Sequence, residues 1–251
     1  MAKTRIAIIS DTHGEHSKLD NWLPDADMII CGGDISKFGD LITIQGFLSW
    51  FSKLEKYKTK IFIAGNHDLL FEKDRGLSRA MIFDNIIYLE NSGVEIDGIY
   101  IYGSPMTPRF HDWAFNADRG EKIKKYWDGI PEETDVLITH GPPMGTLDIS
   151  LFNQKTMVLD GSINHVGCED LKNRIDEIKP KVHIFGHIHP EYGTVEKNGT
   201  LFINASSVGG NYKIKNKPFL VEFDTETKEV QLIQWEFALY RTLMEQNITL
   251  S

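Results

Sequence analysis

The sequence predicts a mixed α+β and α/β fold in which two packed mixed β-sheets are flanked by helices. Five short, almost continuously apolar runs have the composition of strands buried on both faces, and they span residues 5–10, 28–31, 60–64, 135–139 and 181–185. Helical patterns between them predict the crossovers that join parallel strands, and the simplest arrangement places all five runs in one sheet. Tight turns elsewhere predict antiparallel hairpins, and a chain that mixes both connections favours two sheets packed face to face.

The connecting elements follow from apolar spacing and turn residues. Apolar residues three and four positions apart predict helices at 17–22, 41–57, 74–81, 119–127 and 166–178. Strands at 86–89, 94–96 and 99–102, and again between 192 and 235, are separated by turns such as Asp97-Gly98 and Asn198-Gly199, which predict hairpins. Residues 104–116 and 141–165 show neither period and are predicted to be long loops beside strand ends.

Length and composition predict one folded domain over residues 1–251. The chain carries 27 basic and 36 acidic residues, so it lacks the basic stripe on which binding of long nucleic acid depends. No stretch approaches the roughly 20 apolar residues of a membrane-spanning helix, and residues 1–10 do not have the pattern of a signal peptide. Cys31 and Cys168 are far apart in sequence, which predicts two reduced thiols and a cytoplasmic location.

Polar side chains follow each apolar run at the point where the strand should end. They lie in Asp11-Thr12-His13, Gly33-Asp34, Asn66-His67-Asp68, Thr139-His140-Gly141 and Gly186-His187-Ile188-His189. Because open α/β sheets bind ligands at the carboxyl ends of their strands, these side chains should converge. A single histidine at a strand end is more often a structural group, the interpretation given to His16, His165 and His183, but five such segments in succession are not expected by chance.

The converging side chains are a suitable ligand set for two metal ions. Mixed carboxylate, amide and imidazole ligation suits Mn²⁺, Fe or Zn²⁺ better than Mg²⁺ or Ca²⁺, and manganese is the expected metal. Seven candidate ligands exceed one coordination sphere: Asp11, His13, Asp34, Asn66, His140, His187 and His189. Shared through the Asp34 carboxylate, they would hold two ions roughly 3.5 to 4 Å apart, the spacing used in phosphoryl displacement, with a bridging water ionised to hydroxide near neutral pH.

These segments resemble the five sequence blocks of the calcineurin-like metallophosphoesterases. The blocks are DxH, GDxxxxG, GNH[DE], a late histidine followed by glycine, and GHxH, and the chain contains all five between residues 11 and 189. Further similarity in Gly103-Ser104-Pro105, Trp113-Ala114-Phe115-Asn116 and Ile203-Asn204-Ala205-Ser206 is to the branch of metallophosphoesterase-domain-containing proteins, which includes phosphodiesterases. The resemblance implies a four-layer sandwich of two mixed sheets and outer helices, in agreement with the pattern above.

The resemblance also implies a role for each residue. It assigns Asp11, His13 and His189 to one ion, Asn66, His140 and His187 to the other, Asp34 to the bridge and His67 to proton donation. Protein phosphatases of this fold carry an acid three residues after the bridging aspartate, where it orients the donor histidine, but this chain has Lys37 there. Asp68 is a neighbouring acid, and whether it orients His67 is left open by the sequence.

The predicted function is hydrolysis of a small phosphodiester or phosphomonoester by in-line attack of the metal-bridging hydroxide, with diesters favoured. Arg109 and His111, in the loop 104–116, are predicted to contact the substrate, although the nearby aromatic residues equally suit a loop pinned to the core. A nuclease of the same superfamily and a non-catalytic metal-binding scaffold of this fold are the alternatives. The sequence leaves open the physiological substrate, the oligomeric state and whether residues 237–251 dock on the domain or on a second subunit.

Overall fold

The computed structural model describes residues 3–152 and 159–233. Its strands are β1 (Lys3–Ile9), β2 (Met28–Cys31), β3 (Thr59–Phe62), β4 (Ile87–Tyr88), β5 (Ser92–Ile96), β6 (Ile99–Ser104), β7 (Thr107–Pro108), β8 (Asn116–Ala117), β9 (Val136–Thr139), β10 (Ile149–Phe152), β11 (Leu159–His165), β12 (Val182–Phe185), β13 (Gly193–Lys197), β14 (Thr200–Asn204), β15 (Phe219–Asp224) and β16 (Val230–Leu232). Its helices are α1 (Leu41–Ser52), α2 (Leu69–Lys73), α3 (Arg75–Ala80), α4 (Glu121–Trp127) and α5 (Glu169–Ile178), with short 3₁₀ helices at His16–Leu19 and His189–Glu191.

Twelve of these strands form two six-stranded mixed sheets, which confirms the predicted fold class. The first sheet has the order β16-β15-β1-β2-β3-β4, and the second has the order β13-β14-β12-β9-β6-β5. In each sheet the four strands from β1 to β4, or from β14 to β6, are parallel, and antiparallel strands complete the edges. The expectation that the five apolar runs share one sheet is wrong, because the β5–β6 hairpin carries the chain into the second sheet before β9 and β12 form.

The two sheets pack face to face through alternate residues of their strands. Ile6 and Ile8 of β1 point into a buried cluster that also contains Ile138 and Ile184 of the second sheet. The intervening residues of β1 point away from the second sheet, into a cluster with the helices. On that side Phe47 of α1 packs against Phe62 of β3, with ring centroids 6.1 Å apart. The central strands are therefore apolar at consecutive positions because both of their faces are buried.

Several helices are shorter than predicted, for identifiable reasons. The helix predicted at 119–127 begins at Glu121, because Gly120 has a φ of 78° that cannot continue a helix. The helix predicted at 166–178 begins at Glu169, because Cys168 before it has an extended backbone, with φ of -93° and ψ of 121°. The helix predicted at 41–57 ends at Ser52, and the segment 17–22 forms only a 3₁₀ helix.

The predicted loops contain some regular structure. The segment 141–165 includes the β10–β11 hairpin, with residues 153–158 outside the described residues, and the segment 104–116 contributes to the short parallel pair β7–β8. Helix α2 was not predicted. Hairpin turns at Asp97-Gly98 and Asn198-Gly199 are confirmed, and positive φ at both residues of each turn explains the Asx-Gly pairs. Residues 237–251 lie outside the described residues.

Two further expectations concern the thiols and the membrane. Cys31 and Cys168 are both buried free thiols, as the sequence predicts. In the described parts of the chain, no helix combines the length and the apolar character that crossing a bilayer requires.

Candidate metal centre

The carboxyl ends of strands from both sheets meet at one edge of the sandwich. Backbone hydrogen bonds join the loops after the strands within each sheet: Asp11 N donates to Gly33 O at 2.9 Å, and Gly186 N donates to His140 O at 3.0 Å. Between the sheets, Ser207 N donates to Ser10 O at 2.8 Å, which fastens the end of β14 to the end of β1. Side chains from two sheets therefore face one another across a short gap.

One group of ligand atoms comes from Asp11, His13 and His189, and these atoms lie within 4.8 Å of one another. His189 Nε2 is 3.2 Å from Asp11 Oδ1 and also 3.2 Å from His13 Nε2. Asp11 is held in place because both its oxygens accept from the His187 backbone N–H, at 2.9 and 3.1 Å, and Oδ2 also accepts from Ser206 Oγ at 3.1 Å. The group is therefore a preformed set of one carboxylate and two imidazoles.

A second group comes from Asp34, His140 and His187, again within 4.8 Å of one another. His140 Nε2 lies 2.9 Å from Asn66 Oδ1 and 3.3 Å from Asp34 Oδ2. The same Asp34 oxygen lies 3.6 Å from His13 Nε2 of the first group. Asp34 thus stands between the two groups, with its other oxygen held by the backbone N–H of His67 at 2.8 Å.

Burial and charge show that these residues fit bound cations. Asp11 and Asp34 are 0% and 1% exposed, and two carboxylates buried together require compensating positive charge. Burial lowers the pKa of His187 to about 3 and that of His13 to about 4, so both imidazoles are neutral at pH 7, as metal ligation requires. Burial also disfavours the charged form of His140, but the Asp34 carboxylate outweighs this effect and raises its pKa to about 9. The Asp34 carboxylate therefore favours positive charge beside it, which a bound metal cation would supply.

Three of the imidazoles are oriented by backbone carbonyls. Nδ1 of His13 faces Ser36 O at 3.0 Å, Nδ1 of His140 faces Gly32 O at 3.0 Å, and Nδ1 of His67 faces Lys37 O at 2.6 Å. Because a carbonyl oxygen can only accept, each Nδ1 carries the proton and each Nε2 is turned towards the site.

The backbone of the site is strained. Four candidate ligands have φ in the left-handed region: Asp11 (48°), His13 (44°), Asp34 (50°) and His187 (69°). Such conformations cost on the order of 1 kcal/mol or more each and cluster at functional sites. The glycines of the site allow close approach, because a Cβ on Gly65 would overlap Asp34 Oδ1 and one on Gly186 would overlap Asp11 Oδ2.

The proton-donor candidate His67 is partly exposed beside the first group, with its ring centroid 4.8 Å from that of His13. Asp68 does not orient this ring. Its buried carboxylate accepts from the backbone N–H groups of Ile35, Ser36 and Gly65 at 3.2, 2.9 and 2.8 Å and from Ser36 Oγ at 2.8 Å. Asp68 therefore fastens the loop after β2 to the loop after β3. The His67 ring is oriented instead by the backbone carbonyl of Lys37.

Two aromatic residues that the sequence did not mark as site residues line the mouth of the site. The Trp113 indole lies against the His67 ring, with centroids 4.1 Å apart and planes 30° apart. Tyr212 has its ring centroid 4.8 Å from that of His13 and 5.5 Å from that of His189. Neither residue follows a strand directly, so the strand-end pattern could not reveal them.

The predicted substrate contacts lie in the outer part of the same loop. Arg109 is exposed and forms an ion pair with Asp118 at 2.5 Å, and the His111 ring packs against Phe110. Their contact with substrate stays a prediction.

The three histidines interpreted as structural have structural surroundings. His183 Nε2 is 2.8 Å from Thr139 Oγ1, and His165 Nδ1 is 2.8 Å from Asp148 Oδ1. His16 packs against Trp50.

Residues 4–191 match the sequence model of the calcineurin-like phosphoesterases. The chain belongs to this family. It is 34% identical over 245 residues to the human metallophosphoesterase domain-containing protein 1, a match that covers 88% of this chain and 72% of the human protein. A UPF0046 protein of Caenorhabditis elegans is 32% identical over 247 residues, covering 87% of this chain and 59% of that protein.

Solved structures show the same fold at low sequence identity. The crystal structure of TT1561 of Thermus thermophilus is 11% identical, with a TM-score of 0.51 over 92% of this chain and 98% of that one. The family and the two-sheet fold implied by the sequence blocks are thereby confirmed. Membership of the family indicates metal-dependent hydrolysis of phosphate esters.

Proposed function

We propose that this calcineurin-like phosphoesterase uses two metal ions, shared through Asp34, to hydrolyse a small phosphate ester, with phosphodiesters favoured over monoesters. The observation that carries the proposal is the position of Asp34 Oδ2, 3.6 Å from His13 Nε2 in one ligand group and 3.3 Å from His140 Nε2 in the other. A carboxylate between two sets of imidazoles is placed to bind both ions. The other ligands divide as Asp11, His13 and His189 on one side and Asn66, His140 and His187 on the other.

The ligand chemistry supports a transition metal, with manganese expected and iron or zinc as the alternatives. Four imidazoles, two carboxylates and one amide oxygen would give each ion a mixed set of nitrogen and oxygen ligands. When bound, two such ions supply a hydroxide nucleophile at neutral pH and offset charge on the phosphoryl oxygens.

The residues of the chain prepare this chemistry. The backbone N–H of His187 and the Ser206 hydroxyl fix the Asp11 carboxylate, and the His67 backbone N–H fixes Asp34. His67 has Nδ1 bound to the Lys37 carbonyl, so its Nε2 is free to donate a proton to the leaving-group oxygen as that oxygen departs. The partial exposure of His67, His187 and His189 marks the side from which the substrate enters.

The walls beside His67 support the preference for diesters. Trp113 and Tyr212 are neutral and aromatic. Lys213, next to Tyr212, lies 3.7 Å from Glu15, and Arg109 is paired with Asp118. A monoester is a dianion at neutral pH and needs more compensating charge than the monoanionic diester, so the neutral aromatic walls formed by Trp113 and Tyr212 suit the diester.

The proposal is tested by a screen of mono-, di- and cyclic phosphate esters with Mn²⁺-reconstituted protein. We expect turnover to be highest for a diester and to be lost in Asp34→Ala. Lys228→Ala, which removes an ion pair at the opposite edge of the sandwich, is the matched control and should retain full turnover. Zero turnover by protein that holds two ions would favour the scaffold, and preferential cleavage of oligonucleotides would favour the nuclease.

A further inference from the structure

The hydrogen bond to His67 leaves one motion of its ring unrestrained. Nδ1 donates to the Lys37 carbonyl at 2.6 Å, which fixes one atom of the imidazole. The side-chain torsion χ2 of histidine is broad, so a ring held at one atom can still tilt about that contact. A tilt would move Nε2, the atom that must reach the leaving group. A proton donor in this setting needs a second contact that restrains the plane of the ring.

Trp113 supplies a surface against that plane. The two rings are 4.1 Å apart at their centroids and 30° from parallel, so the indole covers a face of the imidazole. His13 meets the same imidazole at 87°, with centroids 4.8 Å apart. The His67 ring is therefore limited by a stacked contact, an edge contact and a hydrogen bond.

The segment that carries Trp113 is tied to the loop that carries His67. Ala114 N donates to Asn66 O at 3.1 Å, one residue before His67. Phe115 N donates to Glu72 Oε1 at 2.9 Å, and Thr107 N donates to Phe115 O at 2.9 Å. Ala114 and Phe115 are buried. These contacts fix the indole relative to His67 before any substrate binds, as expected for a positioning residue.

We propose that Trp113 is a positioning residue for proton donation: its indole holds the plane of the His67 ring so that Nε2 faces the leaving-group oxygen. This inference rests on the proposed function, since it takes His67 as the proton donor. The alternative role for an aromatic residue at the mouth of a site is to stack on the substrate itself. The structure favours positioning, because the Trp113 ring is already stacked on the imidazole.

The deciding experiment is a double-mutant cycle of Trp113→Ala and His67→Ala, measured on an alkyl ester and a p-nitrophenyl ester of the same phosphate, at equal metal content. Trp113→Ala should lower kcat for the alkyl ester by ~10 to 10²-fold, the scale of a misplaced catalytic group, and should change aryl cleavage and KM little. In the His67→Ala background it should cause no further loss. Trp113→Phe, which keeps an aromatic surface, should restore most of the alkyl activity.

The same loss in both backgrounds, or a raised KM for both esters, would show that Trp113 acts on the substrate and would overturn the proposal. Trp22→Ala, which removes a more exposed indole elsewhere, controls for the general effect of losing a tryptophan.

A spectroscopic measurement separates this inference from the proposed function. In Zn²⁺-loaded protein the ring protons of His67 should show an upfield ring-current shift in the NMR spectrum, which Trp113→Ala removes and Trp113→Phe partly retains. The shift does not depend on turnover, so it is measurable even if no ester is hydrolysed. Unshifted His67 ring protons in the wild-type protein would contradict the stacking on which the proposal depends.

Discussion

The two edges of the sandwich hold charged groups in opposite ways. At the amino ends of the central strands, a groove of about 490 Å³ is lined by Lys3, Lys181, Glu222, Asp224 and Lys228, among others. Two of its lysines form ion pairs, with Lys3 Nζ 2.7 Å from Glu222 and Lys228 Nζ 2.7 Å from Asp135. At the carboxyl ends, carboxylates and imidazoles are buried and converge on one another instead of on lysine or arginine.

This contrast identifies the features that mark a metal site. Exposed ion pairs contribute about 0–1 kcal/mol each to stability. They need no further charge compensation, so the amino edge does not require a bound ion. A buried charge without a partner costs several kcal/mol, and strained backbone at four candidate ligands adds to that cost. A bound cation would offset the buried negative charge. A groove lined by charged residues is therefore weak evidence for a metal site, whereas buried carboxylates and strained backbone are stronger evidence.

Among the predicted effects, removal of metal should be the largest, and it should act through the carboxyl edge and not the amino edge. Chelation should abolish ester hydrolysis and lower Tm, because the buried carboxylates lose their compensating cations, and Mn²⁺ should restore both. The measurements are turnover and thermal unfolding before and after dialysis against chelator and after readdition of metal. Full hydrolysis by protein shown to be metal-free would contradict the assignment of the carboxyl edge as a metal site required for hydrolysis.

The next effect concerns proton donation at the carboxyl edge. His67→Ala should slow alkyl esters by about 10²- to 10⁴-fold, the usual scale of general acid catalysis, and p-nitrophenyl esters far less. The reason is that p-nitrophenolate leaves without a proton, whereas an alkoxide is strongly basic and needs one. The comparison requires equal metal content in both proteins. Equal slowing of both esters would mean that His67 acts by positioning or charge and not as the acid.

Substitution of one glycine at each edge by alanine should have smaller effects, which differ between the two edges. In Gly186→Ala the new Cβ would overlap Asp11 Oδ2, so the ligand must move and activity should fall by about 10²-fold. Gly199→Ala has open space around the Cβ and meets only the strain of a φ of 82°, so it should lower stability by about 1 kcal/mol and leave activity unchanged. Metal content, turnover and Tm of the two variants are the measurements. A fully active Gly186→Ala protein would show that Asp11 tolerates displacement.

The strand-end pattern was enough to place all seven candidate ligands at one edge. Each ligand follows an apolar run within a few residues, and that spacing is a property of the sequence. The division of the runs between two sheets was harder to predict, because consecutive apolar residues report burial on both faces and not which strand lies alongside.

The partners of His67 could not be predicted from residue types. The Lys37 carbonyl is a backbone group that any residue could supply, so its role carries no signature in the sequence. Asp68 looked available to the ring, but its carboxylate is committed to N–H groups of neighbouring loops. Trp113 and Tyr212 reach the site through loops whose course depends on tertiary hydrogen bonds, such as that from Ala114 N to Asn66 O.

The most direct test of the shared site is the number of metal ions per chain in Asp34→Ala and Asn66→Ala, measured by elemental analysis after reconstitution with Mn²⁺ and removal of free metal. Asp34 faces both ligand groups, whereas Asn66 Oδ1 faces His140 in one of them. We expect two ions in the wild-type protein, loss from both positions in Asp34→Ala, and about one ion retained in Asn66→Ala. Two ions per chain in folded Asp34→Ala would contradict the bridging role.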